Sequence, residues 1–369
     1  MALSFLSKSN NLLAWFGFKP DTVCVVDCQI SRDLRDHLVS RGVSVVNSAE
    51  EGFTYAITRA GASSNIAAEI KNYYGKIDAD GAVFVLADNM NDRQLAMLKQ
   101  STGLPCHVFI PYPDMTDVSA IFREGFMPSE EALRIMIPTR SASRLRSPRL
   151  IVFYKTEPRE SVRMVKFNPQ RRKAYRVNTF IIDDAVSGRT RVLKMAEDQE
   201  AASHVNNIVK NYEALRQAYK SVELAPCQSM GDGIVEMEYI DGVSMLAWIN
   251  PAKDPINQMK DDLDNVLSWV MDYDNRGGGP VYNLGSDLHN FRVVGDRIIC
   301  INYEWVTRDP IARGFVKFRA LWSFYTDNRS VLSTRISSGA FLKQFGFTGV
   351  EILRYRIKEM LLKLKINGV

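Results

Sequence analysis

Residues 283–305 read NLGSDLHNFRVVGDRIICINYEW, and they govern how the second half of the chain is interpreted. A polar approach ends at Asn290, and two short apolar runs on either side of Gly295 predict a β-hairpin. A second polar turn then begins at Asn302 and contains Glu304. The pattern therefore predicts amide and carboxylate side chains at both ends of one hairpin.

A lysine-bearing strand and a helix precede this hairpin. Successive antiparallel strands are predicted over 162–167, 174–182 and 189–194, and a helix over 200–219. Phosphoryl transfer needs a lysine on the third strand to hold the phosphates and a glutamate on the next helix to orient that lysine. Lys194 and Glu200 are the candidates, and Glu197 is a rival for the second role. A lysine on a strand often only solvates a sheet edge, so Lys194 alone indicates little.

A hinge is predicted between the helix and the hairpin. The segment MEYIDG spans residues 237–242, and we expect its backbone at Glu238 and Tyr239 to pair with an adenine edge. An ordinary hairpin with a polar approach is the alternative interpretation of the downstream segment. The order of strand, helix, hinge and loop favours a kinase-like unit of two lobes.

Two segments carry a resemblance to a known family. INYEWVTRDPIARGFVKFRALWSFY at residues 301–325 resembles a segment of the kinase-like domains in bacterial polysaccharide-assembly proteins, and EAASHVNNIVKNYEAL at residues 200–215 resembles their helix after the lysine strand. The overall plan is similar to the methyltransferase–kinase proteins that terminate O-antigen chains. The resemblance implies ATP and Mg²⁺ as cofactors, with Asn290, Asn302 and Glu304 around the metal.

The chain departs from that family at two acidic positions. The family's catalytic aspartate, five residues before the metal-binding asparagine, corresponds to Gly285, and the aspartate that opens the second turn corresponds to Asn302. Asp287 is the remaining candidate for the catalytic base. A neutral amide holds Mg²⁺ more weakly than a carboxylate does, so a degenerate kinase fold is an open alternative.

In the first half of the chain, short apolar runs alternate with amphipathic segments. This pattern predicts a parallel, doubly wound α/β sheet. Its architecture resembles a class I methyltransferase, and flavodoxin-like or glycosyltransferase-type sheets are alternatives. The turn at residues 25–34 has no glycine, and Asn47 stands where an acid would hold the ribose, so S-adenosylmethionine is not expected. Asp88 follows the strand GAVFVL, but one acid is weak support for a ligand site. We predict domains at residues 1–157 and 158–369, with a small lobe to about residue 241 and a large lobe after it.

Composition limits the classes of protein and partner. The net charge of +5, 24% charged and 46% hydrophobic residues are typical of a folded protein, and the scattered cysteines and histidines predict neither disulfides nor a transition-metal site. No motif for nucleic-acid binding is present. A cytoplasmic protein is expected, with peripheral contact to the inner membrane as an additional expectation. The basic amphipathic segment 350–365 is expected to pack as a terminal helix, and binding to an anionic membrane is the alternative.

Three functions stay open at this point. The first is an ATP-dependent phosphotransferase acting on a glycan or lipid-linked sugar in envelope polysaccharide synthesis, with Lys194 on the phosphates and Asp287 at the acceptor hydroxyl. The second is a pseudokinase scaffold that binds a genuine glycosyltransferase or the glycan. The third is methyl transfer by the first half.

Overall fold

The computed structural model describes residues 18–26, 32–47, 52–60, 65–87, 90–112, 118–126, 149–273, 280–285, 287–310 and 312–367. Asp88, residues 27–31 of the glycine-free turn and Ser286 lie outside the described residues. Contacts divide the chain into one unit of Met1–Pro169 with Val177–Arg191 and a second of Gln170–Arg176 with Val192–Val369. The boundary predicted near Glu157 therefore lies inside the first unit.

The first unit contains nine strands and three helices in its described part. The strands are β1 (Val23–Val26), β2 (Ser44–Val46), β3 (Phe53–Arg59), β4 (Ile77–Ala87), β5 (His107–Tyr112), β6 (Ala120–Arg123), β7 (Arg149–Tyr154), β8 (Glu160–Lys166) and β9 (Val177–Asp184). The helices are α1 (Arg32–Ser40), α2 (Ile66–Lys76) and α3 (Asp92–Thr102). The strands follow the order β2-β1-β3-β4-β7-β5-β6-β8-β9 in the sheet.

The predicted parallel sheet is present in part of this unit. β1 pairs in parallel with β2 and β3, and β3 pairs in parallel with β4, as crossovers through helices require. The other strand pairs of this unit are antiparallel: β4–β7, β7–β5, β5–β6, β6–β8 and β8–β9. The short connection between Tyr112 and Ala120 explains one of them, because a parallel crossover needs a dozen or more residues.

Burial of apolar side chains fixes α2 and α3 against this sheet. Ile70 of α2 and both Leu95 and Leu98 of α3 join a buried cluster with strand residues such as Val83 and Ile151. The leucines lie three residues apart and so share one face of their helix. Asn91 caps α3 by accepting a hydrogen bond from the Gln94 backbone N–H.

The second unit contains shorter sheets and a set of helices. Its strands are β10 (Thr190–Ala196), β11 (Glu223–Leu224), β12 (Cys227–Gly231), β13 (Ile234–Glu238), β14 (Val243–Ser244), β15 (Tyr282–Asn283), β16 (Phe291–Val294), β17 (Arg297–Cys300) and β18 (Val306–Thr307). The division between the two units falls within β10, after Arg191. Its helices are α4 (Gln199–Ala218), α5 (Ile256–Val270), α6 (Ala312–Asp327), α7 (Arg329–Leu332), α8 (Ser338–Gln344) and α9 (Gly349–Asn367). The strand orders are β12-β13-β10, β11-β17-β16-β14 and β15-β18.

The predicted hairpin and the long helix are both present. β16 and β17 pair antiparallel from Phe291 with Cys300 to Val294 with Arg297. Asp198 begins α4 by accepting hydrogen bonds from the backbone N–H groups of Glu200 and Ala201, which would otherwise lack partners. None of the described helices is long and apolar enough to cross a membrane.

Candidate functional site

Lys194 is a buried cation on β10. Its side chain is only 8% exposed, and its Nζ donates to Asn302 Oδ1 at 3.0 Å. Glu304 Oε2 lies 3.6 Å from the same Nζ. The structure thus brings together three residues, Lys194, Asn302 and Glu304, that the sequence had placed in one site.

Glu304 is the common acceptor of this cluster. Its Oε1 accepts from Arg171 and lies 2.9 Å from His204 Nε2. Glu304 is itself buried, and a buried carboxylate is tolerated only when it is paired and hydrogen-bonded. Lys194 and Arg171 therefore share one anion, which leaves the cluster with one excess positive charge when His204 is neutral.

The surroundings shift the pKa values of both buried groups. Burial lowers the pKa of Lys194, and the Glu304 charge opposes that shift. Burial alone would raise the pKa of Glu304, but the charges of Arg171 and Lys194 and the His204 hydrogen bond hold it well below its ordinary value. Glu304 is consequently ionised at neutral pH.

Helix α4 fixes the turn that carries Glu304. Asn211 Nδ2 donates to the backbone carbonyl oxygens of Tyr303 at 3.2 Å and Glu304 at 3.0 Å. His204 lies seven residues before Asn211, on the same helix face, and reaches the carboxylate from there. One helix thus positions both the backbone and the side chain of the turn.

Gly285 lies between the two amides of the predicted metal site. Asn290 Nδ2 donates to the Gly285 carbonyl oxygen at 3.1 Å. A Cβ added at Gly285 would stand 3.1 Å from the Asn302 carbonyl oxygen and 3.7 Å from Asn302 Nδ2. The position where the resembling family has its catalytic aspartate is therefore tight, and a side chain there would require its neighbours to shift slightly.

A buried asparagine holds this loop in place. Asn283 is fully buried, and its Oδ1 accepts from the Gly285 backbone N–H at 2.8 Å. Its Nδ2 donates to the Asn302 carbonyl oxygen at 3.0 Å. Asn283 therefore sets the distance between the loop at Gly285 and the turn at Asn302.

Asp287 is half-buried and begins the short 3₁₀ turn that leads to Asn290. Its charge acts on Asp327 at the end of α6, whose pKa is raised first by loss of hydration and then by this like charge. Asp287 thus stands on the loop before Asn290, within electrostatic range of another carboxylate.

The structure does not pair Glu200 with Lys194. Glu200 is exposed in the first turn of α4, one helical turn before His204, and the carboxylate beside Lys194 is instead that of Glu304. The rival Glu197 pairs elsewhere, with its Oε1 3.3 Å from Arg176 Nη1.

The predicted hinge begins in the last two residues of β13 and continues beyond the strand. The Glu238 backbone N–H donates to the Pro226 carbonyl oxygen at 3.0 Å, and the Glu238 side chain is exposed. Tyr239 is half-buried. A Cβ at Gly242 would stand 2.8 Å from the Val293 carbonyl oxygen, so glycine permits the close approach of this segment to β16.

Sequence reasoning missed Arg171 and His204. His204 lies within the helix motif quoted above, but its role was not assigned. Arg171 was not singled out from the sequence at all. Its partner is 133 residues further along the chain, and no local pattern links them. Trp305 adds an aromatic ring 4.5 Å from that of His204.

The donors around Asn302 do not fit a resident Mg²⁺ ion. Mg²⁺ prefers charged oxygen ligands, whereas Asn290 and Asn302 are neutral amides. Glu304 already serves two cations, and Asn302 Oδ1 faces the Lys194 ammonium group. Among the described residues, no group of three or more His, Cys, Asp or Glu could hold a metal ion. We therefore assign no metal ion to Asn290, Asn302 and Glu304.

No protein-family model matches the chain, and no curated protein does. Among solved structures, a type I macrolide 2'-phosphotransferase is similar at 10% identity and a TM-score of 0.31, covering 57% of this chain and 88% of that one. The ternary complex of APH(2")-IIa with streptomycin and ATP is similar at 10% identity and a TM-score of 0.24, covering 51% and 90%. Likenesses with scores this low carry no argument about function.

Proposed function

We propose that the second unit is a kinase-like unit that binds the phosphates of a nucleotide such as ATP and acts as a binding module rather than a phosphotransferase. The observation that carries the proposal is Lys194, buried within its strand and held by Asn302 and Glu304. The excess positive charge of the Lys194–Arg171–Glu304 cluster attracts an anion such as a phosphate.

The geometry around Gly285 supports binding without transfer. Phosphoryl transfer depends on positioning and on neutralising charge at the transferred group, usually with metal ions. Here a glycine in tight surroundings stands at the position of the catalytic base, and an amide replaces the aspartate of the second turn. These replacements remove two carboxylates that support turnover in the resembling family and leave the cationic side chain that would hold phosphates.

A thermal-shift experiment tests nucleotide binding. We expect ATP to raise the melting temperature of the full chain, since a ligand that binds only the folded state stabilises it. Lys194→Met should abolish the shift, whereas Lys210→Met, at an exposed lysine of α4, should keep it. No shift in the unaltered protein, or the same shift in both variants, would contradict the proposal.

A phosphotransferase is the second candidate, because Asp287 keeps a carboxylate on the loop before Asn290. Asp287 would then position the acceptor hydroxyl. Sustained ADP production that Asp287→Asn removes, with ATP affinity unchanged, would favour this candidate over the binding module. We expect no such production.

We further propose that the chain serves envelope polysaccharide assembly by binding a glycan, a lipid-linked saccharide or a glycosyltransferase. The support is the resemblance of residues 301–325 to kinase-like domains of polysaccharide-assembly proteins. Deleting the gene should change the amount or chain length of the surface polysaccharide. An unchanged polysaccharide profile would remove this context without affecting the nucleotide site.

A further inference from the structure

Helix α9 presents an apolar stripe to solvent. Six large side chains along it are between 37% and 79% exposed: Val350, Leu353, Ile357, Met360, Leu361 and Leu364. Single exposed apolar residues are ordinary, but contiguous exposed patches mark interaction surfaces. The segment forms the predicted terminal helix, but its apolar stripe stays exposed.

The spacing of these residues places them on one face. They follow one another at intervals of three, four, three, one and three residues, which keeps them within about 100° of the helix circumference at 3.6 residues per turn. The stripe runs almost the whole length of α9, from Val350 to Leu364.

The opposite face of α9 attaches the helix to the second unit. Ile352 and Glu359 are buried there, and Arg319 Nε of α6 donates to Glu359 Oε2 at 2.7 Å. Arg356 lies over the Trp322 ring at 4.5 Å from its centroid. These contacts fix the rotation of the helix, so the exposure of the stripe follows from how α9 is anchored.

Charge is distributed asymmetrically around the stripe. Both acids of α9 are engaged away from it, because Glu359 pairs with Arg319 and Glu351 accepts from Thr348. Five basic residues lie on the two flanks: Arg354, Arg356, Lys358, Lys363 and Lys365. Arg354, Lys363 and Lys365 are exposed.

We propose that α9 binds an anionic lipid surface, lying in the plane of the interface with its apolar stripe in the headgroup–acyl boundary. A helix with an apolar face and basic flanks has this property, and each basic side chain near an anionic surface strengthens binding about fivefold. A second copy of the chain fits less well, because pairing two such helices would bring together flanks of the same sign. The proposal is independent of the nucleotide site.

Vesicle co-sedimentation of the full chain tests the proposal. Vesicles of phosphatidylcholine with phosphatidylglycerol should bind the protein, and vesicles of phosphatidylcholine alone should bind it at least tenfold more weakly. Leu353→Gln with Ile357→Gln should abolish binding. Val186→Gln, at another exposed apolar residue, should not change it. Arg354→Gln with Lys365→Gln should weaken binding more than tenfold, whereas Lys253→Gln with Lys343→Gln, at exposed lysines elsewhere, should have little effect.

Three results would overturn the proposal. One is no binding to either kind of vesicle, and another is equal binding to both. The third is a dimer, seen by analytical ultracentrifugation, that the Leu353→Gln and Ile357→Gln pair dissociates while vesicles have no effect. Because all substituted side chains are exposed, unchanged circular dichroism is expected for every variant.

Discussion

Glu304 explains how Lys194 can be buried. An ammonium group out of water is costly unless it is paired, and the pairing here comes from a turn 110 residues away rather than from the adjacent helix. Glu304 also accepts from Arg171 and His204. Removing Glu304 would therefore leave two cations without a counter-charge, while removing Lys194 would leave Glu304 still paired.

This asymmetry predicts unequal effects on stability. Glu304→Gln should lower the free energy of unfolding of the second unit by about 3–5 kcal/mol, as expected when one partner of a buried pair is removed. Lys194→Met should lower this free energy of unfolding by clearly less. Hydrogen exchange of the α4 amides in increasing urea measures both, and equal losses would show that Glu304 is not the common acceptor.

The pKa of Glu304 predicts an acid dependence. Because this pKa is depressed in the folded state, its stabilisation is fully present above the unfolded value of about 4.3 and is lost as the pH falls through the folded value. The unaltered protein should lose stability steadily below about pH 4.3, and Glu304→Gln should have a flatter profile. Parallel profiles from urea unfolding at several pH values would contradict this assignment.

The crowded surroundings of Gly285 predict that even a small side chain at this position lowers the stability of the protein. Gly285→Ala should destabilise the second unit by about 1–3 kcal/mol, because its Cβ would crowd the Asn302 carbonyl oxygen. The matched control is Gly339→Ala in α8, where a Cβ meets nothing within 4 Å and helix propensity should increase stability. Unfolding midpoints compare the two, and a neutral Gly285→Ala would show that the loop has room for a Cβ atom.

At the scale of elements, the periodicity of the sequence predicted the hairpin β16–β17, helix α4 and the lysine strand β10. It did not predict the antiparallel position of β7 between β4 and β5, because strand order depends on contacts distant in sequence. Glu200 was assigned by analogy with the usual order of strand and helix. His204, one turn later on α4, reaches Glu304 instead.

Helix α9 also supports the loop that contains Gly285. Arg319 of α6 donates to the Leu284 carbonyl oxygen and to Glu359 of α9, so one guanidinium joins three elements. Helix α9 thus carries an exposed stripe on one face and a contact to the site on the other.

The ion pair between Arg319 and Glu359 predicts a large loss of stability when Glu359, which is remote from Lys194, is replaced. Glu359→Gln should lower the free energy of unfolding by about 3 kcal/mol, since Arg319 would lose a buried partner. Glu213→Gln, which removes an exposed ion pair with Arg216 on α4, should cost less than about 1 kcal/mol. Urea unfolding measures both, and similar small losses would contradict the role given to Glu359.

At the scale of the whole molecule, the two units differ in what they offer a ligand. The ends of β1 and β2 in the first unit are joined by Arg35, which donates to the Val26 carbonyl oxygen and to Asn47 Oδ1, each at 2.8 Å. The Asn47 amide is thus already engaged, at a position where an acid would have held a ribose.

Calorimetry of the full chain should therefore show no heat of binding with S-adenosylmethionine. The glycine-free turn and the engaged Asn47 are the reasons. Asn47→Asp is the matched variant, and it should not restore binding, since Arg35 would pair with the new carboxylate. Saturable heat with the unaltered protein would return methyl transfer to consideration.

The most direct measurement is calorimetric titration of ATP into the full chain, once with EDTA and once with Mg²⁺. If Lys194 and its cluster hold the phosphates without a metal ion, ATP should bind in EDTA, and Lys194→Met should weaken that binding at least tenfold. Binding that requires Mg²⁺, or no binding under either condition, would contradict the account.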